Sequence, residues 1–205
     1  ASFVRGLRVT DTNSLDLVIA VLTGLVNKKL VASLSAMGAP VVGLCGVDGS
    51  ILQASVSDPE LGMVGDISVV ETTLLEKLVE MGYIPLVAPV GILRSPNGLV
   101  GSQILNINGD AAAGAIANAL PAQSLVFLTD VEGVLDSSGR LLRRITKQEA
   151  RGLIDSGTAN GGMIPKLEAA IKALELVPVS YIVDGRQPHA LLESINSKSL
   201  GTRIA

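Results

Sequence analysis

The chain has 205 residues, a formal net charge of -3, and 48% hydrophobic residues against 2% aromatics, with no Trp. That length suits one large domain or two small ones with a core. With so few aromatics the core must come from Val, Leu, Ile and Ala, the residues of buried parallel strands and their covering helices. The acidic balance offers no field for the phosphates of nucleic acid, and one cysteine (Cys45) beside one histidine (His189) excludes an intrachain disulfide and the usual zinc clusters.

Between Asn13 and Val26 apolar residues recur at helical spacing (Leu15, Val18, Ile19, Leu22, Leu25, Val26), capped by Asn13 or Thr12, and a second helical stretch runs from about Asn27 to Met37. Pro40 opens the apolar run Val41 to Val47, short enough for a buried strand and closed by Asp48-Gly49. The longest uncharged apolar-leaning run, Val31 to Val47, is broken by serines, glycines and Pro40, unlike the roughly 20 apolar residues that span a bilayer, so no membrane segment is expected. The first residues, Ala1 to Arg5, carry neither a signal h-region nor an Arg-rich transit pattern. With the lone cysteine, that predicts a cytoplasmic location, or a plastid stroma if a transit peptide has been removed.

Residues 50–70 are more polar and punctuated by glycine, which predicts a hairpin-like excursion of short antiparallel strands. Thr72 or Thr73 begins a helix that stops at Gly82, and Ile84 to Val90 reads as the next buried strand. Residues 91–102 read as a loop. The polar cluster Asn106-Ile107-Asn108-Gly109-Asp110 then starts an alanine-rich helix to Leu120. Asp110 serves there as an N-cap, which leaves Asn106 and Asn108 as candidate ligand-binding groups.

Ser124 to Thr129 is a buried strand ending at Asp130, followed by a turn at residues 136–139, a helix from Thr146 to Asp155 and a loop at residues 157–162. A helix from Ile164 to Leu176, a strand from Val177 to Val183, a short helix from His189 to Ser194 and a closing strand over residues 201–204 complete the chain. Strands alternating with helices predict an α/β fold with a mainly parallel sheet and helices on both faces, with ligands beyond the carboxyl ends of the strands.

Two segments carry chemistry at such places. Thr129-Asp130-Val131-Glu132-Gly133 sits at a strand end, with a glycine for tight turning and acids in reach of the crevice. Gly161-Gly162-Met163-Ile164-Pro165-Lys166 puts two glycines ahead of a helix whose first turn holds a lysine. A cation there opposes the helix dipole, so an anion is the natural reason for it; a Gly-rich loop with a solvated lysine is the plainer reading. Arg8 could offer a planar fork to a carboxylate, or be a surface residue before a helix cap. Cys45 reads as a core thiol, with no partner for a nucleophile near it. One phosphate-type lysine, one carboxylate-type arginine, two asparagines and an aspartate, without nucleophile or metal cluster, suggest phosphoryl transfer to a small anion.

Taken in order, Gly6-Leu7-Arg8-Val9-Thr10-Asp11, Gly24 to Lys28, Gly43 to Gly49, Asn106 to Asp110, Leu128 to Asp136, Gly161 to Lys166 and Val183-Asp184-Gly185-Arg186 resemble the acetylglutamate kinases of the amino acid kinase family, over almost all of the 205 residues. The resemblance implies a three-layer sandwich around a mainly parallel sheet. It treats residues 1–205 as one domain, with residues 1–105 mostly a lobe for N-acetyl-L-glutamate and residues 106–205 mostly a lobe for ATP. It implies ATP-dependent phosphorylation of the side-chain carboxylate of N-acetyl-L-glutamate in arginine biosynthesis, by a homodimer or hexamer. Arg8 would grip the α-carboxylate, with Asn106 and Asn108 holding the acetylglutamate. Asp110 would organise catalytic lysines and Lys166 would stabilise the transferring phosphoryl group. Thr129, Asp130, Gly161, Gly162 and Met163 would line the ATP site, with Mg²⁺ held mostly by nucleotide phosphates and water.

Gly109 stands where the family usually has Ala, Cys45 where it usually has Ser, and the loop at residues 91–101 reads as longer than usual. The family also begins with a lysine-bearing strand and a Gly-rich turn that residues 1–205 do not contain. The expectation is therefore a piece of a longer kinase, or a chain completed by a second polypeptide, that aggregates or lacks turnover when expressed alone. The alternatives are a kinase for carrier-linked aminoadipate or glutamate, against which Arg8 argues, and a non-catalytic regulatory fragment.

Overall fold

The computed structural model describes residues 3–4, 7–196 and 200–205, with side chains from residue 9 onward. The chain divides into two compact units, Ala1–Ala112 and Ala113–Ala205.

In the first unit a short antiparallel pair, β1 (Phe3–Val4) and β2 (Leu7–Arg8), leads to a long helical segment. Asp11, rather than Thr12 or Asn13, is the N-cap, because its carboxylate accepts from the Ser14 N–H at 2.7 Å. That bond also holds the Asp11 carboxyl below the usual carboxylate range. The two expected helices are one continuous run: α1 (Thr12–Ile19), a π-helical turn (Ala20–Val26) and α2 (Asn27–Ala36). Among the described residues, Thr12–Ala36 is the helix long and apolar enough, by length and composition, to cross a membrane. It differs from the expectation of no membrane-length segment because Asp16, Lys28 and Lys29 interrupt its apolar residues, so no uncharged run marks it in the sequence.

Asn27 explains why the helix continues where a break was expected. Its side chain is buried and donates to the carbonyls of Leu44 and Leu86, at 3.1 and 2.8 Å. Those carbonyls belong to β3 (Val41–Cys45) and β6 (Ile84–Ala88), which pair in parallel. The next residue, Lys28, donates to the Gly43 carbonyl at 2.9 Å. Neither strand is the fully buried one that its apolar run predicts: β3 is half-buried along its length and Ile84 is exposed. An apolar run reports the tendency to be covered, not that the described residues supply the cover.

Residues 50–107 depart furthest from expectation. They form a closed barrel of β4 (Leu52–Val56), β5 (Val64–Val70), β8 (Val100–Ile107) and β7 (Val90–Arg94), in that order. The expected hairpin is the antiparallel β4–β5 pair, but β5 also runs parallel to β8 and β4 parallel to β7. The segment read as a loop is largely the antiparallel β7–β8 pair. Ile51, Leu52, Ala54, Val64, Val90, Leu105 and Ile107 are buried here. Between β5 and β6 in the chain, α3 (Thr73–Glu80) starts and stops near its expected limits, with Glu71 accepting from the Thr73 N–H at 3.1 Å.

Helix α4 (Gly109–Ala119) begins one unit's end and the other's start. The second unit then holds a four-stranded sheet in the order β10 (Arg144–Ile145), β12 (Thr202–Ile204), β11 (Ser180–Asp184), β9 (Leu125–Thr129). The β9–β11 and β10–β12 pairs are parallel and β11–β12 is antiparallel. Strand β11 is buried throughout and its residues alternate between two cores. Ile182 faces Leu125, Phe127, Ile204 and the Leu167, Ala170 and Ile171 side of α6 (Met163–Ala173), while Tyr181 and Val183 pack with Ala190 of α7 (Ala190–Asn196). Helix α5 (Lys147–Asp155) opens with a capping box, Thr146 and Glu149 each bonding the other's backbone N–H. The molecule is thus an α/β protein in which parallel strand pairs recur in both units.

Candidate functional site

At the carboxyl end of β9 the chain passes through Thr129 and Asp130 into a loop that faces the start of α6. Between them lies a cavity of about 360 Å³ lined by residues of the second unit, among them Thr129, Asp130, Asn160, Gly162, Met163 and Lys166. Five predicted nucleotide-site or catalytic residues are therefore gathered at one concavity beyond a parallel strand end. Gly161 is beside that lining rather than in it, with φ +51 turning the chain into the helix.

The helix start is less open to an anion than its glycines suggest. The N–H groups of Met163 and Ile164 close back on the carbonyls of Asn160 and Gly161, at 3.1 and 3.3 Å, and Pro165 has no N–H to give. Positive character at this end of the cavity therefore comes mainly from the helix dipole and the Lys166 ammonium. Asp130 is the one carboxylate lining the cavity among the described residues.

A further stretch of the wall is Gly133, Val134 and Leu135. The Thr129 hydroxyl donates to the Val131 carbonyl at 2.9 Å and so begins the turn. Gly133, at φ +149, leaves no room for a Cβ against Thr202 and Leu141. Beside this wall, Asp184 pairs with Arg186 through two bonds, of 2.8 and 2.9 Å. Those bonds to Arg186 hold the Asp184 carboxyl below its ordinary value.

The remaining predicted residues lie in the first unit. Arg8 is in β2, paired with Phe3, and its side chain lies outside the described residues. Asn106 and Asn108 do not both start the helix. Asn106 is the last residue but one of β8, where its amide N–H₂ donates to the buried hydroxyl of Thr10 at 3.1 Å. Asn108, not Asp110, caps α4, its side-chain oxygen accepting from the Ala111 N–H at 3.0 Å. Asp110 sits in the first turn instead, where a carboxylate suits the helix dipole.

Sequence reasoning passed over Thr10 and the turn that holds it. Thr10 N–H donates to the Leu61 carbonyl at 2.9 Å, and its own carbonyl accepts from Met63 N–H at 2.7 Å. Met63 in turn accepts from the Asn106 N–H at 2.8 Å. Gly62, at φ +71, makes this possible because a Cβ there would strike the Thr10 carbonyl. Complete burial of a hydroxyl is the signal, and it is invisible without the fold. Cys45 is half-buried at the end of β3, and burial pushes its thiol pKa up, so it is no ready nucleophile.

Comparison with known proteins follows the same residues. Residues 1–184 match the model of the amino acid kinase family. The chain is 43% identical over 201 residues to a protein named acetylglutamate kinase from Dehalococcoides mccartyi, covering 98% of this chain and 74% of that one. A solved structure from Streptococcus mutans UA159 superposes with a TM-score of 0.81 at 31% identity, over 100% of this chain and 76% of that one. An N-acetylglutamate synthase from Neisseria gonorrhoeae, solved with coenzyme A and N-acetyl-glutamate, gives a TM-score of 0.83 at 29% identity, over 100% of this chain and 46% of that one.

Proposed function

The chain belongs to the amino acid kinase family, and we infer from this and from its site that it phosphorylates N-acetyl-L-glutamate with ATP, the step its relatives' name describes. The observation that carries the reading is the cavity between the Thr129-Asp130 strand end and the start of α6, with Lys166 in its lining. A phosphoryl group moving between two anions needs charge neutralised and atoms aligned, not a covalent partner. An ammonium on the first turn of a helix, facing a strand end, offers that.

In this reading the Thr129 to Met163 lining takes the nucleotide and the Lys166 ammonium steadies the negative charge that spreads over the transferring phosphoryl group. Asp110 orients a catalytic lysine. Asn106 and Arg8 hold the acetylglutamate, whose side-chain carboxylate attacks the phosphorus to give an acyl phosphate and ADP. Asn108 joins them with its amide N–H₂, while its side-chain oxygen fixes the start of α4 as the helix cap. A single carboxylate in the cavity lining suits Mg²⁺ carried on the nucleotide phosphates with Asp130 in reach, rather than an all-protein cage. Bound there, the ion would offset phosphate charge. A homo-oligomer and a cytoplasmic location belong to the same proposal.

The test is trapping of the acyl phosphate as its hydroxamate when the full chain is incubated with MgATP, N-acetylglutamate and hydroxylamine. Hydroxamate formation that depends on all three, and falls on the order of 100-fold or more in Lys166→Ala, is expected from the loss of a transition-state charge contact. Product with a carrier-linked substrate but none with free N-acetylglutamate would overturn the substrate assignment.

A further inference from the structure

Thr202 lies in the closing strand β12, outside the cavity lining, and is fully buried. Its hydroxyl accepts from the Val134 N–H at 2.8 Å and donates to the Leu142 carbonyl at 2.7 Å. Leu142 N–H returns to the Val134 carbonyl at 2.8 Å. Four backbone groups and one hydroxyl, joined by three hydrogen bonds, therefore form a closed circuit, and Val134 is both a member of it and part of the cavity wall. The circuit holds the wall from behind.

The neighbouring geometry packs the wall closely against Thr202 and Leu141. Gly133 approaches so closely that a Cβ would come within 2.7 Å of the Thr202 oxygen and 2.8 Å of Leu141. Leu135, the next wall residue, bridges to Leu141 across the same turn. Strand β12 is itself anchored, with Arg203 N–H donating to the Arg143 carbonyl at 3.0 Å and Ala205 N–H to the Ile145 carbonyl at 3.2 Å. A buried hydroxyl is well suited to this role because it can donate and accept at once, and both its partners would be stranded without it.

We propose that Thr202 is a positioning residue for the nucleotide: it sets the Gly133–Leu135 wall at the distance from the α6 side that the nucleotide requires. The proposal rests on the cavity being the ATP site. It places control of nucleotide affinity in a closing strand that itself contributes nothing to the lining. A change at Thr202 acts on ATP and leaves the acetylglutamate end alone.

The experiment compares Thr202→Val, Thr202→Ser and Lys166→Met in the full chain, by steady-state kinetics and by calorimetric titration with a non-hydrolysable ATP analogue. Valine keeps the shape of threonine and removes both bonds; serine keeps both bonds. Thr202→Val should raise the KM for ATP and the analogue's Kd about tenfold, the worth of roughly one buried hydrogen bond. The KM for N-acetylglutamate and kcat should stay within about twofold, and Thr202→Ser should restore wild-type values to within about twofold. A purely structural threonine would lower the melting temperature of Thr202→Val while leaving both KM values and the Kd unchanged, and that result overturns the proposal. If Lys166→Met leaves ATP turnover and analogue binding intact, the cavity is not the nucleotide site and the proposal falls with that reading. If Lys166→Met is crippled but Thr202→Val binds the analogue normally, the proposal falls alone.

Discussion

Thr10 shows what a single buried side chain adds to a site assembled from motifs. Its hydroxyl receives the Asn106 amide N–H₂ and so fixes the orientation of that side chain. Thr10→Val removes the partner while keeping the volume. It is expected to raise the KM for N-acetylglutamate about fivefold to tenfold with the KM for ATP unchanged, as one hydrogen bond near 1 kcal/mol requires; equal changes in both KM values would contradict this. Asp184 gives a second expectation at this scale. Its folded pKa is depressed by Arg186, so the stability it contributes is present above the unfolded value of about 3.9 and is lost as pH falls through the folded value. Thermal melts should show Asp184→Asn less stable than the parent at pH 7, with the gap closing below about pH 4. A gap that does not narrow at all as the pH falls below about 4 would mean the carboxylate charge is not its source.

Among the elements, those fixed by local rules were legible and those fixed by distant pairing were not. Helix α5 is announced by Thr146 and Glu149 at capping-box spacing, and β9 by an apolar run between turn residues; both stand where they were expected. The barrel was missed because its parallel β5–β8 and β4–β7 pairs join residues that are 40 or so positions apart, and no local period records such a pairing. The helix cap was misplaced by two residues because Asn108 and Asp110 are both good caps, and only the strand before them decides which one is free. The site residues were legible as a set for a related reason: strand ends and helix starts are punctuated by residues such as Asp130 and Gly162, whereas Thr10 and Thr202 act from inside the core. Asn27 and Gly43 test how tightly one such buried contact is specified. A Cβ on Gly43 would strike the Asn27 side-chain oxygen and come within 2.8 Å of Val31. Gly43→Ala should therefore cost roughly 1–3 kcal/mol, read as a lower urea midpoint for the first unit. An unchanged midpoint would mean that α2 moves aside freely.

For the whole molecule the decisive feature is the exposed apolar face of the helix Thr12–Ala36. Leu17, Leu25, Leu30 and Met37 are 65%, 51%, 47% and 83% exposed, and strands β3 and β6 beneath are only half-covered. Apolar surface on this scale marks a place of association, with protein or with lipid. Two features favour protein. Asn27 and Lys28 spend their polar groups on strand carbonyls, and the segment carries Asp16 and Lys29 as well, an expensive set to bury in a bilayer. Self-association through this helix is the expected behaviour. Light scattering coupled to size exclusion should find species larger than the 21.0 kDa monomer, and Leu25→Glu with Leu30→Glu should shift them toward it. Neutral phosphatidylcholine vesicles should fail to carry the chain in a flotation gradient. Flotation that the glutamates abolish would instead assign the helix to lipid, while a parent chain that stays monomeric at tens of micromolar would show that its apolar face needs no cover.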